Sequence, residues 1–272
     1  MNAAGECTLP QICMLASSSR GNSACVRYGD DAVLIDAGIS AKRIKDSLDG
    51  IGCPVGSIKA VFITHEHTDH ICGLEVFAKK YPVPVYAPRG CCDAIVRACP
   101  SVCKNLVGIA HGDVLTAGCM NVTAYRTPHD AAASVGYRVL FPGGQSLGYA
   151  TDIGHITRDV VSILEGCLYA VVESNHDLDM LLNGVYPEQL KRRIAGDRGH
   201  LANQSITKML PYLVKNGTRH IMLAHLSEEN NTPERAFLSA KNALGEYGYS
   251  LLQDGRGDVE LCVAAPRNTV CF

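Results

Sequence analysis

The sequence predicts an α/β protein in which two mixed β-sheets pack together with helices outside. Short strand-like runs fall into two blocks, and each block closes in alternating helical and strand-like segments. No linker, low-complexity tract or fixed-period repeat interrupts residues 1–272, so the chain is expected to form one domain. Strands are predicted over 11–16, 24–28 and 32–36, separated by the turn signals "SSSRGNS" and "GDD". The stretch 40–48 carries Ile44 and Leu48 at a helical spacing. A compact apolar strand follows over 60–64, then a helix over 72–81 that ends before Pro82, and strand and helix repeat over 83–87 and 91–98. Between Asn121 and Asp152 come three strand-like runs, "NVTAYRT", "SVGYRVLF" and "SLGYATD". Helices and strands then alternate through 160–164, 169–173, 187–195, 203–215, 220–223, 233–247 and 259–264.

A composition of 47% hydrophobic and 19% charged residues suits a globular protein with a sizeable core. The formal net charge of −2 rules out holding nucleic acid by bulk electrostatics, so a polyanion would have to meet a local patch. The opening "MNAAGECTLPQICML" lacks the cationic and apolar regions of a signal peptide, and no apolar run reaches the length of a membrane span. The expectation is a soluble cytoplasmic protein. Thirteen cysteines, from Cys7 onward, are scattered, with Cys91 and Cys92 adjacent and no CxxC, which reads as small buried thiols in a reducing compartment.

One stretch stands apart. "FITHEHTDHICGLEVF" sets His65, Glu66, His67, Asp69 and His70 directly after an apolar strand. In an extended segment His65 and His67 point the same way, and a helix starting near Asp69 would project Asp69 and His70 from its first turn. Glu66, between two such residues, would point the opposite way. Imidazoles with a carboxylate are the ligand set of Zn²⁺, and also of Fe or Mn. Two such pairs point to two neighbouring divalent metals, each needing further ligands from elsewhere. His129 in "RTPHDA", Asp152 closing "SLGYATD", His225 after "HIMLAH" and Asp36 closing "AVLIDAG" share one context, an apolar strand ending in a polar residue and a turn.

These residues resemble the metallo-β-lactamase superfamily, whose signature HxHxDH is followed by His, Asp and His at strand ends. "THEHTDHICGL", "TPHDA", "YATDIG" and "LAHLS" supply them in order over essentially the whole chain. The resemblance implies an αβ/βα four-layer sandwich with the site along one edge. It implies one metal held by His65, His67 and His129, a second by Asp69, His70 and His225, Asp152 bridging both, and Asp36 orienting the site from behind its ligands. "LASSSRGNSACVRYGDDAVLIDAG", "VVESNHD", "DRGHLAN" and "HLSEENNTPE" look like the YycJ (WalJ) group, regarded as nucleic-acid phosphodiesterases. That group's first loop is usually richer in glycine than the Ser17-Ser18-Ser19-Arg20-Gly21-Asn22 found here. No insertion between Asp152 and His225 is long enough to form a β-CASP domain.

Two metals at about 3.5–4 Å can share a hydroxide at neutral pH, so the reaction class is hydrolysis. His67 where a redox diiron member would carry Glu disfavours electron transfer, and His70 disfavours an antibiotic-degrading lactamase. The leading expectation is an exonuclease or other phosphodiesterase acting on DNA or RNA. A small-molecule hydrolase of thioesters, lactones or cyclic phosphodiesters, which would use the same seven ligands, stays open, as does a non-catalytic metal-binding protein. Asp69 is the natural acceptor for a water proton, and His200 in "GHLAN" is placed to contact the phosphate or protonate the leaving oxygen. "KRRIAGDRGH" adds Lys191, Arg192, Arg193 and Arg198, a set that would bind backbone phosphates if it faced the metals and would otherwise form a solvated helix face. Arg20, Asn22, His176, Ser227 and Asn230 complete the candidate substrate contacts. His111, His155 and His220 read as turn, rim and packed residues.

Overall fold

This computed structural model describes residues 9–272 of the chain; residues 1–8, with Cys7 and the start of the N-terminal segment, lie outside the described residues. In β1 (Gln11–Ala16), Ile12 and Met14 face one way and Cys13 and Leu15 the other, and all four are fully buried. A strand apolar on both faces needs cover on both faces. That requirement sets the architecture.

β1 sits in a sheet with β2 (Ser23–Tyr28), β3 (Asp31–Ile35), β4 (Ile58–Phe62), β5 (Val85–Pro88) and β6 (Leu106–Ile109). β1, β2 and β3 pair antiparallel, whereas β3 through β6 run parallel. The second sheet repeats the plan. β7 (Val114–Ala117), β8 (Met120–Arg126), β9 (Val135–Leu140) and β10 (Ser146–Ala150) form an antiparallel meander, and β11 (Tyr169–Glu173), β12 (His220–Ala224) and β13 (Glu260–Val263) continue it in parallel. The short β14 (Val270–Cys271) returns to pair with β1, so each sheet has seven strands.

Three apolar layers fill the spaces. Between the sheets, Ile12, Met14, Val33 and Phe62 meet Val122, Tyr137, Tyr149 and Met222. Outside the first sheet, α1 (Ala41–Gly50), α3 (Leu74–Lys80) and α4 (Cys92–Ala98) bury Ile44, Leu48, Phe77 and Ile95 against Leu15, Leu34 and Val61. A four-residue helix, α2 (Thr68–Ile71), precedes α3. Outside the second sheet, α5 (Arg158–Leu164), α8 (Asn203–Ile206), α9 (Leu210–Lys215) and α10 (Pro233–Glu246) bury Ile163, Ile206, Leu213 and Leu244 against Val172, Ile221 and Leu223. Each such side chain contributes about 1.5–3 kcal/mol of transfer free energy. The two remaining helices, α6 (Leu178–Asn183) and α7 (Glu188–Ile194), lie outside that layer. The predicted four-layer sandwich with two mixed sheets is the observed fold. No helix among the described residues is long and apolar enough to cross a membrane.

Three expectations change. The helix predicted over 72–81 starts later, as α3 from Leu74, because Cys72-Gly73 parts it from α2 where a Cβ on Gly73 would lie 1.9 Å from the Ile39 carbonyl oxygen. The helix predicted over 203–215 is two, α8 and α9, since Pro211 in the first turn of α9 has no N–H to carry a helical ladder through from the preceding turn. The cysteines are not all thiols. Cys13 and Cys271 oppose each other across β1 and β14 and are joined by a disulfide, while ten others are free among the described residues.

Candidate metal centre

The parallel strands of both sheets end at one rim, the usual location of ligand sites in such sheets. Asp36 follows β3, Asp152 lies two residues beyond β10, and His225 follows β12. All three have left-handed backbone, with φ of 61°, 56° and 56°, a conformation that few residues other than glycine adopt. Neighbouring chain holds them there. The Asp36 N–H donates to the Phe62 carbonyl at 2.8 Å, and the His225 N–H donates to the Ser17 hydroxyl at 2.7 Å.

After β4 the chain stays extended to His67, which precedes α2. His65 and His67 therefore face the same space, their ring centres 4.5 Å apart, and Asp69 and His70 enter it from the helix's first turn. His129 comes from the loop between β8 and β9, with its ring centre 4.9 Å from His65 and 5.1 Å from His67. The seven residues expected to bind metal thus converge. They form overlapping groups, His65 with His67 and His129, Asp69 with His70 and His225, and His65 with His70 and Asp152.

In most of these rings one nitrogen is already engaged. His70 Nδ1 donates to Asp36 at 2.8 Å, His129 Nδ1 to the Gly199 carbonyl at 3.1 Å, and His225 Nδ1 to Glu173 at 2.8 Å. His65 Nδ1 is 3.0 Å from the Thr64 hydroxyl, which also contacts Asp36. Such contacts fix the tautomer and aim the other nitrogen inward. His65 Nε2, His225 Nε2 and Asp152 Oδ2 are then buried with no hydrogen-bond partner among the described residues. Buried orphan atoms are costly unless something else satisfies them, and these are lone pairs aimed at shared points.

Charge gives the same answer. Burial favours protonating Asp69 and Asp152, yet His225 and His70 outweigh it and hold both carboxyls below the usual carboxylate range. Burial likewise disfavours charge on His225, but Asp152, Asp69 and Glu173 push it up to about 10, and Asp152 and Asp36 raise His70 in the same way. His65 moves the other way, driven down by burial and by the neighbouring His70, His129 and His67. Carboxylates gathered here call for positive charge. The donor set fits divalent metal ions.

Sequence reasoning missed Glu173. It ends β11 in the same strand-end context as the assigned residues, a signal that would have found it. It is fully buried and accepts from His200 and His225 on one oxygen and from the N–H groups of Ile153 and Leu201 on the other. Burial would raise its pKa, but His200 and His225 keep it well below the carboxylate range. Asp130 was also missed; it lies 3.4 Å from His129 Nε2 and accepts from Arg193 at 2.5 Å.

The other expected residues separate. His200 lines a chamber of about 190 Å³ with Ser19, Asn175, Tyr186, Arg193 and Ser227. Asn22 is fully buried and bonds to Ser18 and to the candidate ligand Asp69. Asn230 and His176 are buried outside that lining, and the Ser227 hydroxyl accepts the N–H of Asn230. Arg20 is exposed, 3.6 Å from Glu228. Of the cationic segment, Lys191 turns away to the Leu182 carbonyl and Glu188, whereas Arg198 donates twice to the His129 carbonyl. Glu66 ties loops, accepting the Ala132 N–H and the Cys91 thiol.

The chain resembles known proteins over most of its length. Residues 31–226 match the family described as Beta-lactamase superfamily domain. The chain is 35% identical over 241 residues to exodeoxyribonuclease YycJ of Bacillus anthracis, covering 88% of this chain and 90% of that protein. It is 34% identical over 238 residues to exodeoxyribonuclease WalJ of Streptococcus pneumoniae, covering 86% and 87%. Among solved structures, the metallo-β-lactamase fold protein YhfI of Bacillus subtilis superposes with a TM-score of 0.67 at 16% identity, over 97% of this chain and all of that one. Zn²⁺-bound PqqB of Methylobacterium extorquens also gives 0.67, at 18% identity over 96% and 99%.

Proposed function

The chain belongs to the beta-lactamase superfamily as a metal-dependent hydrolase, and from that premise we propose that it is a dinuclear exonuclease that hydrolyses phosphodiester bonds of nucleic acid, DNA first. The observation that carries the dinuclear reading is the pair of ligand groups, His65 with His67 and His129 and Asp69 with His70 and His225, on either side of Asp152. His70 Nε2 lies 3.3 Å from Asp152 Oδ2 and His129 Nε2 lies 3.8 Å from Asp152 Oδ1, as a shared ligand requires. Zinc suits these ligands first, with manganese or iron as substitutes. The nucleic-acid reading is supported by the similarity to named exodeoxyribonucleases over nearly their whole length. We read the chain as one catalytic domain without an inserted cap, acting in the cytoplasm where such a substrate lies.

When bound, the metals supply Lewis acidity toward a phosphoryl group and toward a water molecule. The chain's own residues do the rest. Asp69 reaches the edge of the cluster, its side chain 24% exposed, where it is placed to accept a proton from the attacking water. His200 gives its Nδ1 to Glu173, which leaves Nε2 to meet the departing oxygen in the chamber. Arg193 lines the same chamber, steadied by Asp130.

The competing reading is a compact ester or cyclic phosphodiester, favoured by a chamber of only about 190 Å³. End-labelled DNA and RNA, incubated with purified protein and Zn²⁺ or Mn²⁺ beside Asp152→Ala, decide between them. Stepwise shortening by wild type and none by the variant is expected. Bound metal with no cleavage of any strand, but rapid turnover of thioesters or cyclic phosphodiesters, would replace the nuclease reading with its competitor.

A further inference from the structure

We propose that the strand being processed leaves the metal centre along a cationic groove between the two sheets, where Arg89 and Arg126 grip its phosphates; this rests on the nuclease reading above. The groove, about 490 Å³, is lined by Arg89, His111, Arg126, His129 and Arg198, among apolar residues such as Ile109 and Ala132. Among the described residues no acidic one lines it. That is notable in a chain of net charge −2, and it is the local patch that a polyanion would need.

Topology places the groove on the rim that carries the metal site. β5 and β6 run parallel to β4 and end side by side at Pro88 and Ile109. Across the gap, Arg126 at the end of β8 pairs with Val135 at the start of β9, and β9 in turn pairs with β10, beyond whose end Asp152 lies. Walking along the sheets from the ligands toward their edges therefore leads into the groove. Met120, Val122 and Ala124 of β8 belong to the layer between the sheets, so Arg126, next on that face, emerges where the layer opens to solvent.

The arginines there are not committed to carboxylates. Among the described residues no acidic oxygen lies within 4.0 Å of the Arg89 or Arg126 guanidinium, in contrast to Arg193, held by Asp130. Arg198 joins groove to centre by donating to the His129 carbonyl. Guanidinium groups along a track of small apolar residues suit a sugar-phosphate backbone, with bidentate contacts to phosphate and no demand on sequence.

The test measures binding and cleavage separately. Fluorescence anisotropy of the metal-loaded enzyme with a labelled, phosphorothioate-linked single-stranded oligodeoxythymidylate gives affinity against salt. The variants are Arg89→Ala/Arg126→Ala and, as a control for lost charge, Lys215→Ala/Lys241→Ala on the outer helices. The groove variant is expected to bind roughly tenfold or more weakly, with the slope of log K against log salt reduced by about 0.7 per arginine. Its kcat/KM on an ordinary oligonucleotide should fall far more than that on bis(4-nitrophenyl) phosphate, and the lysine control should follow wild type. Cleavage and binding by the groove variant equal to wild type would overturn the groove and leave the nuclease reading standing. Salt-dependent binding that needs the two arginines, but without any cleavage, would uphold the groove and sink that reading. No binding by wild type would overturn the groove outright.

Discussion

Glu173 accepts four hydrogen bonds, two from imidazoles at the metal centre and two from backbone N–H groups of the loops that carry Asp152 and His200. In Glu173→Gln one of those pairs would face an NH₂ group. Metal affinity should drop by about 10–100-fold, read by competition with a chromogenic chelator, while the ligands themselves remain. His176 makes a separate prediction. Burial pushes its imidazole down to about 4, against about 6.5 in an unfolded chain. Between these values the unfolded chain binds a proton that the folded one refuses, so stability is present above about pH 6.5 and is lost as pH falls toward 4. Urea unfolding of metal-free protein should show a loss of about 3 kcal/mol over that window that is missing in His176→Gln. At this scale the sequence was legible where chemistry dictates spacing, as in His65, His67, Asp69 and His70. It was opaque where role depends on burial, since nothing in "SSSRGN" tells that Asn22 would be sealed against Asp69 while Arg20 stays in solvent.

Among the elements, the short helix α2 is held by backbone contact to the turn before β2, and through it to the segment leading into α1. The Asn22 N–H donates to the Asp69 carbonyl, and the Gly38 N–H donates to the Asn22 carbonyl. A Cβ on Gly38 would lie 1.6 Å from the Asp69 carbonyl oxygen. Gly38→Ala must therefore push α2 outward, with an expected loss of about 1–3 kcal/mol in chemical unfolding and a weaker metal site. A variant that binds metal as wild type does would show that α2 moves without consequence. Tyr169–Glu173 was read from the sequence with its observed bounds because apolar runs inside parallel sheets are continuous. The edge strands β6, β7 and β14 escaped notice: two to four residues long, they are too short for alternation to show. The break between α8 and α9 was hidden because side-chain periodicity runs on across it.

For the whole molecule, four carboxylates, Asp36, Asp69, Asp152 and Glu173, meet at one rim. Metal binding should relieve that crowding and stabilise the fold. At free metal a hundredfold above its dissociation constant, each site is expected to add about 2.7 kcal/mol, seen as a Tm that rises with added Zn²⁺ and falls after chelation. A Tm indifferent to chelation would mean that metal does not distinguish folded from unfolded chain. The layered architecture was legible from the two blocks of strands, whereas the order of strands within each sheet was not, because pairing across the sandwich leaves no local mark.

That order has one more consequence. The two sheets follow the same plan, and the candidate ligands are shared out between them: His65, His67, Asp69 and His70 follow β4 of the first sheet, while His129, Asp152 and His225 follow strands of the second. Neither half of the chain owns a complete site. Metal held here would act as a staple along the open seam of a two-leaved book, so any motion that parts the leaves at this rim would also let it go.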